Sequence, residues 1–300
     1  MSSVAADGGA GSVFVLGAGR AGRSLARAFV VAGVDVVGVH GRQADHAAVP
    51  PVTAGPLPKS LGGAAVILVT VRDAQLGDAL RQLATAHLRP GAVVLHASGA
   101  TDPAEASTLR ALGHPVGTMH PLVPLANPAR AATVLRGAWI GVDGDPAATR
   151  AAIALAHCIG ANALTIPPGQ KPRYHAAAVF AANFPVVVAA LAERLLEEAG
   201  IPEGEARAAT LGLMSAAVSN LESGRPNDVL TGPIARGDVA SVRGHLAALA
   251  DDAPALGAYV TLSRAALTLA RERGTSAERL AEISAALDAA VPDQRPPSTA

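Results

Sequence analysis

The sequence predicts an α/β chain in which an N-terminal Rossmann-type parallel sheet is followed by an all-helical C-terminal domain. Three observations predict it. A glycine-rich turn directly follows a short apolar run and directly precedes a helical stretch. Apolar runs then alternate with helical patterns as far as Ile166, which indicates parallel strands joined by right-handed crossovers. After Pro168 no strand-like run appears, and alanine-rich helical stretches fill the remainder.

Each element follows from its local pattern. Short apolar runs bounded by turn residues predict strands at 12–16, 34–39, 65–71, 92–95, 116–119, 138–142 and 163–166. Helical periodicity predicts helices at 20–31, 73–86, 102–112, 147–159, 173–199, 203–221, 239–250, 253–273 and 277–290. The domains are therefore predicted as a disordered N-terminus over 1–11, a Rossmann domain over 12–167, a helical domain over 168–291 and a disordered tail over 292–300.

Composition limits the classes of function. The 24 basic residues balance the 24 acidic ones, and aromatic residues make up 2% of the chain, so neither nucleic acid nor an anionic membrane is an expected partner. The lone Cys158 cannot form an internal disulfide, and no signal peptide is visible, which favours a cytoplasmic location. The apolar stretch 176–192 falls short of a membrane span and contains Asn183 and Pro185, so we expect a buried helix there. No spacing typical of a metal site occurs.

The glycine-rich turn matches the dinucleotide-binding pattern G-x-G-x-x-G. The predicted cofactor-binding residues of the turn are Gly17, Ala18, Gly19, Arg20, Ala21 and Gly22. The first glycine permits a tight turn, the second lets backbone approach a pyrophosphate, and the third lets helix and strand pack closely. The helix N-terminus offers free N–H groups to the phosphates. The alternative is a glycine turn with no ligand.

The end of the second strand indicates which nucleotide is bound. An NAD site usually places an acidic residue there, against the ribose 2′-hydroxyl. This chain has His40 and Arg42, and a guanidinium can pair with a 2′-phosphate. The pattern favours NADP(H) over NAD(H). The alternative is that Arg42 is a solvated loop cation. Asp45 is a weaker candidate for the residue that contacts the ribose.

Polar residues that follow the strands are candidates for cofactor or substrate contacts, because ligands of open parallel sheets lie beyond the carboxyl ends of the strands. Thr70 and Val71 are assigned to the cofactor, Ser98 to cofactor and substrate, and Gly99 to substrate. Ser98 capping its own turn is the alternative. His120 is a candidate proton donor or a histidine packed between sheet and helix.

Several segments together resemble a known bacterial family. They are LGAGRAGRSLARA, VTVRDAQL, VLHASGA, GTMHPLVPL, KPRYHAAAVFAANF and LTGPIARGD, in this order. The family joins a Rossmann-like domain to a C-terminal domain of unknown function numbered 2520. The layout is more distantly similar to 6-phosphogluconate dehydrogenase, pyrroline-5-carboxylate reductase and ketopantoate reductase. That resemblance implies a helical domain like the 6-phosphogluconate dehydrogenase C-terminal domain, and a homodimer formed through it.

The helix that begins near Lys171 carries the remaining catalytic candidates. Lys171, His175 and Asn183 are spaced by four and eight residues, which places them within one arc of about 120°. A desolvated lysine can give a proton to a developing alkoxide, and the related dehydrogenases use a helical lysine and asparagine in this way. In this chain the asparagine comes later than in those enzymes. The alternatives are a solvated Lys171 and a buried polar anchor at Asn183.

The loop 231–238 contains two glycines and a proline, which predicts a shaped turn. Resemblance to the pyrroline-carboxylate reductases implies that Arg236 clamps a substrate carboxylate, whereas an Arg236–Asp238 pair is the alternative.

The predicted function is an NADP(H)-dependent oxidoreductase that reduces a small carbonyl or imine substrate bearing a carboxylate, such as a ketopantoate-like 2-keto acid. A non-catalytic NADP-binding sensor or assembly protein is the second hypothesis, and a dehydratase or epimerase with a retained cofactor is the third.

Overall fold

The computed structural model describes residues 11–125 and 127–291. The ends predicted as disordered lie outside these residues, apart from Gly11. The chain forms two compact units, Met1–Pro185 and Val186–Ala300, which we call the first and the second unit.

The first unit is built on one eight-stranded sheet with the order β3-β2-β1-β4-β5-β6-β7-β8. Its strands are β1 Val13–Leu16, β2 Val36–His40, β3 Val52–Thr53, β4 Val66–Val69, β5 Val93–His96, β6 Val116–Pro121, β7 Trp139–Gly144 and β8 Asn162–Thr165. The predicted strands are all present, and the short β3 was not predicted. Because β6 pairs antiparallel with β7, the expectation of an entirely parallel sheet is wrong at this one pair. The connection between them is a loop with one short helix, so no full crossover restores the strand direction.

Helices cover both faces of the sheet. They are α1 Arg20–Val31, α2 Asp73–Ala84, α3 Ser107–Ala111, α4 Ala131–Leu135, α5 Pro146–Cys158 and α6 Lys171–Ala182. Alternate residues of β1 face opposite layers: Val13 and Val15 pack with Phe29 of α1, whereas Phe14 and Leu16 pack with the layer that contains α2. Apolar burial on both faces is the reason that these strands read as continuous apolar runs.

The second unit is helical throughout its described part. Its helices include α8 Glu203–Ser223, α9 Pro226–Val229, α10 Pro233–Arg236, α11 Val239–Ala248, α12 Ala253–Glu272 and α13 Ala277–Ala290. The last three form an apolar core around Val242, Leu267 and Ile283. The side chains of Asp238, Asp252 and Ser276 cap the N-termini of these helices by accepting backbone N–H hydrogen bonds. The helix predicted over 173–199 is divided at Asn183 into α6 and α7, Phe184–Glu198.

The expectation that residues 176–192 are buried is wrong. None of them is buried within the single chain, and Phe180 and Val186 expose 65% and 68% of their surface. By length and composition alone, the helical stretch Lys171–Glu198 could cross a membrane.

Candidate active site

The glycine-rich turn lies between β1 and α1, and its glycines are required by sterics. Gly17 has φ +118°, and a Cβ there would lie 2.7 Å from the backbone carbon of Thr70. A Cβ on Gly22 would lie 1.8 Å from the carbonyl oxygen of Gly17. Thr70 Oγ1 donates a hydrogen bond of 2.7 Å to that same oxygen. The threonine therefore holds the turn in place, and its hydroxyl is engaged with the protein.

The middle glycine leaves open space. Nothing lies within 4 Å of a Cβ built on Gly19, which is the N-cap of α1. No side chain caps this helix and its first turn contains no acidic residue, so its backbone N–H groups are available to an anion. Arg20 is exposed beside them, and Ala18 and Ala21 are half-buried. This geometry suits a pyrophosphate.

The side chains at the end of β2 have distinct tasks. His40 is buried, with Nδ1 2.9 Å from Thr53 Oγ1 and Nε2 3.2 Å from the carbonyl oxygen of Gly55, so its ring joins β2 to the following loop. Asp45 accepts a 2.7 Å hydrogen bond from Arg23, which holds the pKa of Asp45 below its ordinary value. Asp45, the alternative candidate for binding the ribose, is thus engaged with Arg23. Arg42 is exposed and, within residues 11–125 and 127–291, has no ion-pair partner.

The Ser98 hydroxyl caps its own turn. It accepts from the backbone N–H of Thr101 at 3.0 Å and donates to Thr101 Oγ1 at 2.9 Å. This is the alternative that the sequence left open for Ser98. Val71 is half-buried after β4.

A row of polar residues crosses three strands near the carboxyl edge of the sheet. His96 on β5 is in register with Thr118 on β6, which is in register with Asp143 on β7. All three are buried. Residues in register on neighbouring strands lie on the same face, so the row forms one polar strip. We call His96, Thr118 and Asp143 the polar row.

Lys171 lies over the polar row. It is the first residue of α6, is only 1% exposed, and donates from Nζ to Thr118 Oγ1 at 2.9 Å. Burial lowers the pKa of Lys171 from 10.5 to about 8, although the carboxylates of Asp143, Asp102 and Asp73 oppose the shift. The alternative of a solvated cation is wrong for Lys171, because α6 packs its first turn directly onto the sheet.

His96 and His120 are held uncharged at neutral pH. Burial and the nearby Lys171 lower the pKa of His96 and that of His120 to about 4. Burial raises the pKa of Asp143, against the effects of the Gly144 N–H and Lys171. A buried ammonium with a reduced pKa therefore lies among neutral imidazoles, an arrangement typical of functional sites.

Two further side chains of α6 reach the end of β6. The hydroxyl of Tyr174 lies 2.8 Å from His120 Nδ1, and the ring of His175 lies 5.9 Å from that of His120, centroid to centroid. Burial raises the pKa of Tyr174. We call Lys171, Tyr174, His175 and His120 the α6 cluster.

Two glycines make room for the α6 cluster. A Cβ on Gly99 would lie 2.5 Å from His175 Nδ1 and 2.7 Å from His120 Nε2. A Cβ on Gly141 would lie 2.2 Å from the Tyr174 hydroxyl. Any larger residue at either position would displace a polar side chain of the cluster.

One predicted residue lies far from the cluster, and another belongs to the second unit. Asn183 is the exposed C-cap of α6, and twelve residues of helix place it about 18 Å from Lys171. It is therefore neither a partner of the cluster nor the buried anchor that the sequence left open. Arg236 ends α10 in the second unit, where its guanidinium lies 3.9 Å from the Asp238 carboxylate.

Tyr174, Thr118 and Asp143 were not predicted as site residues. Tyr174 follows Lys171 by three positions on α6, and Thr118 precedes His120 by two on β6, so helix and strand periodicity place each pair on one face. This periodicity could have identified both Tyr174 and Thr118 as site residues. Asp143 depends on the antiparallel register of β7, which no local pattern of the sequence shows.

Comparison with known proteins places both halves of the chain. Residues 7–121 match the family model of a Rossmann-like domain, and residues 138–266 match that of the domain of unknown function DUF2520. No curated protein sequence matches the chain.

Solved structures share the fold. A Thermotoga maritima protein is 23% identical with a TM-score of 0.68, and the match covers 87% of this chain and 98% of that one. A Bacteroides fragilis protein named as an NADP oxidoreductase is 21% identical with a TM-score of 0.68, over 86% and 98%. The pyrroline-5-carboxylate reductase of Coxiella burnetii is 14% identical with a TM-score of 0.57, over 94% and 97%.

Proposed function

We propose that this chain, whose two halves match the models of a Rossmann-like domain and of the domain DUF2520, is an NADP(H)-dependent oxidoreductase that reduces a small carbonyl or imine compound. The observation that carries the proposal is the α6 cluster at the carboxyl edge of the sheet, where a buried cationic Lys171 lies beside the neutral His120. Ligands of open α/β sheets bind outside this edge. The names given to the Bacteroides fragilis and Coxiella burnetii proteins agree with a reductase.

The residues of the chain fit the chemistry of such a reduction. A nicotinamide nucleotide held by the turn 17–22 would supply a hydride to the carbon of the C=O or C=N bond, so that the π-electron pair of that bond would move to the heteroatom, which would take up a proton. An N–H donor at His120 polarises that bond. The buried charge of Lys171 stabilises the negative charge that develops on an oxygen, because the interior screens it poorly. The protonated form of Lys171 is also an acid whose pKa of about 8 is close to neutral pH.

The choice of NADP(H) over NAD(H) depends on Arg42. We expect Arg42→Ala to weaken NADPH binding by about 10- to 100-fold, the loss of one charge-assisted phosphate contact, and to leave NADH binding unchanged. Titration calorimetry with both nucleotides measures this. Arg89→Ala removes another exposed arginine, one that precedes β5, and is the matched control. An equal loss of affinity for NADPH and for NADH in Arg42→Ala would contradict the assignment of Arg42 to the 2′-phosphate.

We further propose a substrate that bears a carboxylate, such as a 2-keto acid, with Arg236 as the residue that binds it. The support is chemical: Arg236 is exposed and its contact with Asp238 is long, so its guanidinium can pair with an added carboxylate. Oxidation of NADPH against a panel of 2-keto acids, imines and aldehydes tests the reaction. Tight NADPH binding without turnover across the panel would favour the non-catalytic sensor.

The helical part of the chain is proposed to form a homodimer. Helix α8 exposes Leu211, Leu213 and Val218 by 53%, 72% and 59%. Helical geometry places Leu211 and Val218 within about 20° of each other and Leu213 on the opposite side, so the apolar surface surrounds the helix. A partner with a flat surface would cover only one side of α8. A second copy, which carries the same helices, can cover both sides.

Light scattering on the purified protein is expected to give the mass of a dimer, and Leu213→Glu is expected to give a monomer, because a carboxylate buried without a partner opposes association. Leu112→Glu changes an equally apolar, 57% exposed leucine of the first unit and is expected to leave the dimer intact. A dimeric Leu213→Glu variant would refute this surface.

A further inference from the structure

A hydrogen bond joins Tyr174 to His120 within the α6 cluster. The hydroxyl of Tyr174 lies 2.8 Å from Nδ1 of His120, and the two rings meet edge to face at 81° with centroids 5.6 Å apart. The contact joins residues 54 positions apart in the sequence, one on α6 and one on β6. The fold therefore builds it from two separate elements.

The direction of the proton in this contact follows from the donors available. Burial raises the pKa of Tyr174, so the phenol keeps its proton at neutral pH, and the N–H of Gly141 donates to the phenol oxygen. The one hydrogen of the phenol is then directed at Nδ1 of His120. Nδ1 accepts, and in a neutral imidazole the ring proton is consequently on Nε2.

Nε2 of His120 packs beside the backbone of Gly99. A Cβ built on Gly99 would lie 2.7 Å from this nitrogen, and the ring of His120 is half-buried. His175 Nδ1, which has no hydrogen-bond partner in the described part of the chain, lies 2.5 Å from the same point. The missing side chain of Gly99 thus lets two imidazole nitrogens approach the same point.

We propose that Tyr174 is a positioning residue that fixes His120 as the Nε2–H tautomer, so that His120 presents a neutral hydrogen-bond donor to the substrate. The proposal rests on the proposed reductase function of this site. It also narrows the substrate class. A neutral N–H donor can bind the lone pair of a carbonyl oxygen, whereas a protonated iminium nitrogen has no lone pair to accept it. Ketones and aldehydes are therefore favoured at this site over protonated iminium ions.

The tautomer of His120 is measurable without substrate or cofactor. Long-range ¹H–¹⁵N spectra of the full chain distinguish a pyrrole-type from a pyridine-type ring nitrogen, and His120→Asn identifies the signals of His120. We expect a protonated Nε2 and an unprotonated Nδ1 in the wild type at pH 7. In Tyr174→Phe we expect a mixture of tautomers, and about tenfold lower kcat on the best carbonyl substrate with little change in KM for NADPH.

The chain offers a matched control. Tyr259 also lies 2.9 Å from a histidine Nδ1, that of His245, with rings 5.6 Å apart at 88°, but this pair belongs to the second unit. Tyr259→Phe is expected to alter the tautomer of His245 and to leave His120 and kcat unchanged. Thermal unfolding of both variants checks that the fold is retained.

The outcomes separate the two proposals. An Nδ1–H tautomer or an imidazolium at His120 in the wild type, or unchanged His120 signals in Tyr174→Phe, would overturn the role of Tyr174 whatever the activity. The expected tautomers without NADPH oxidation on any carbonyl would leave the Tyr174 contact intact and refute the reductase. Turnover of imines alone would refute the inferred substrate class.

Discussion

Replacing Lys171 with methionine is expected to remove a rise in stability of about 3 kcal/mol that the wild-type chain gains between pH 8 and 10.5. Burial lowers the pKa of Lys171 from 10.5 to about 8. In this pH range the unfolded chain holds a proton that the folded chain has lost, so the unfolded state binds more protons and stability rises with pH. Below pH 8 both states are protonated, and the full cost of the buried charge is present.

Urea unfolding at several pH values gives the difference in the free energy of unfolding between variant and wild type. In this difference the contributions of the other titratable groups cancel. We expect the advantage of Lys171→Met to be largest at pH 7 and to shrink by about 3 kcal/mol by pH 10.5. Lys59→Met removes the other lysine of the chain, which is exposed, and is expected to leave the pH dependence unchanged. A difference that stays constant with pH would contradict a buried charge at Lys171.

The same substitution is expected to lower kcat by about 100- to 1,000-fold and to leave the affinity for NADPH unchanged. The charge of Lys171 acts on the oxygen that becomes negative in the transition state, whereas the nucleotide turn is held by separate contacts such as that of Thr70 with Gly17. Because the protonated lysine is the active form, wild-type kcat should fall as the pH rises through about 8.

Steady-state kinetics from pH 6 to 10, together with NADPH titrations, test this second prediction. Lys59→Met should behave as the wild type in both measurements. If Lys171→Met lost turnover and NADPH affinity to the same extent, the lysine would support the fold of the site and not its chemistry. Together the two predictions describe a charge that destabilises the folded chain and assists the reaction.

The fold was largely predictable because its signals are local. The buried runs of β1 and β4, and the glycines at positions 17, 19 and 22, predict strand and turn through sterics that involve neighbouring residues. The direction of β7 and the exposure of residues 176–192 were not predictable, since the first depends on strand pairing and the second on how distant elements pack, and no local pattern of the sequence shows either.

The candidate site was predicted less completely, for the same reason. Lys171, His120 and His175 were selected by residue type and spacing, and the structure brings these three together. Asn183 was selected by its angle around the helix, but that angle ignores its distance along the helix axis. Residue type alone did not identify Tyr174 as a site residue, and only the fold shows that its hydroxyl lies within hydrogen-bond distance of His120.

The reversal of the chain at β7 determines the direction in which α6 travels. Since β7 and β8 run against β6, the chain leaves β8 at the opposite edge of the sheet from the end of β6. α6 must then run alongside β6 in the same sense, with Lys171 level with Thr118 and Tyr174 level with His120. The five-residue connection 166–170 thereby sets the rotational phase of the helix. One extra residue there would turn α6 by about 100° and point its polar side chains away from the strand.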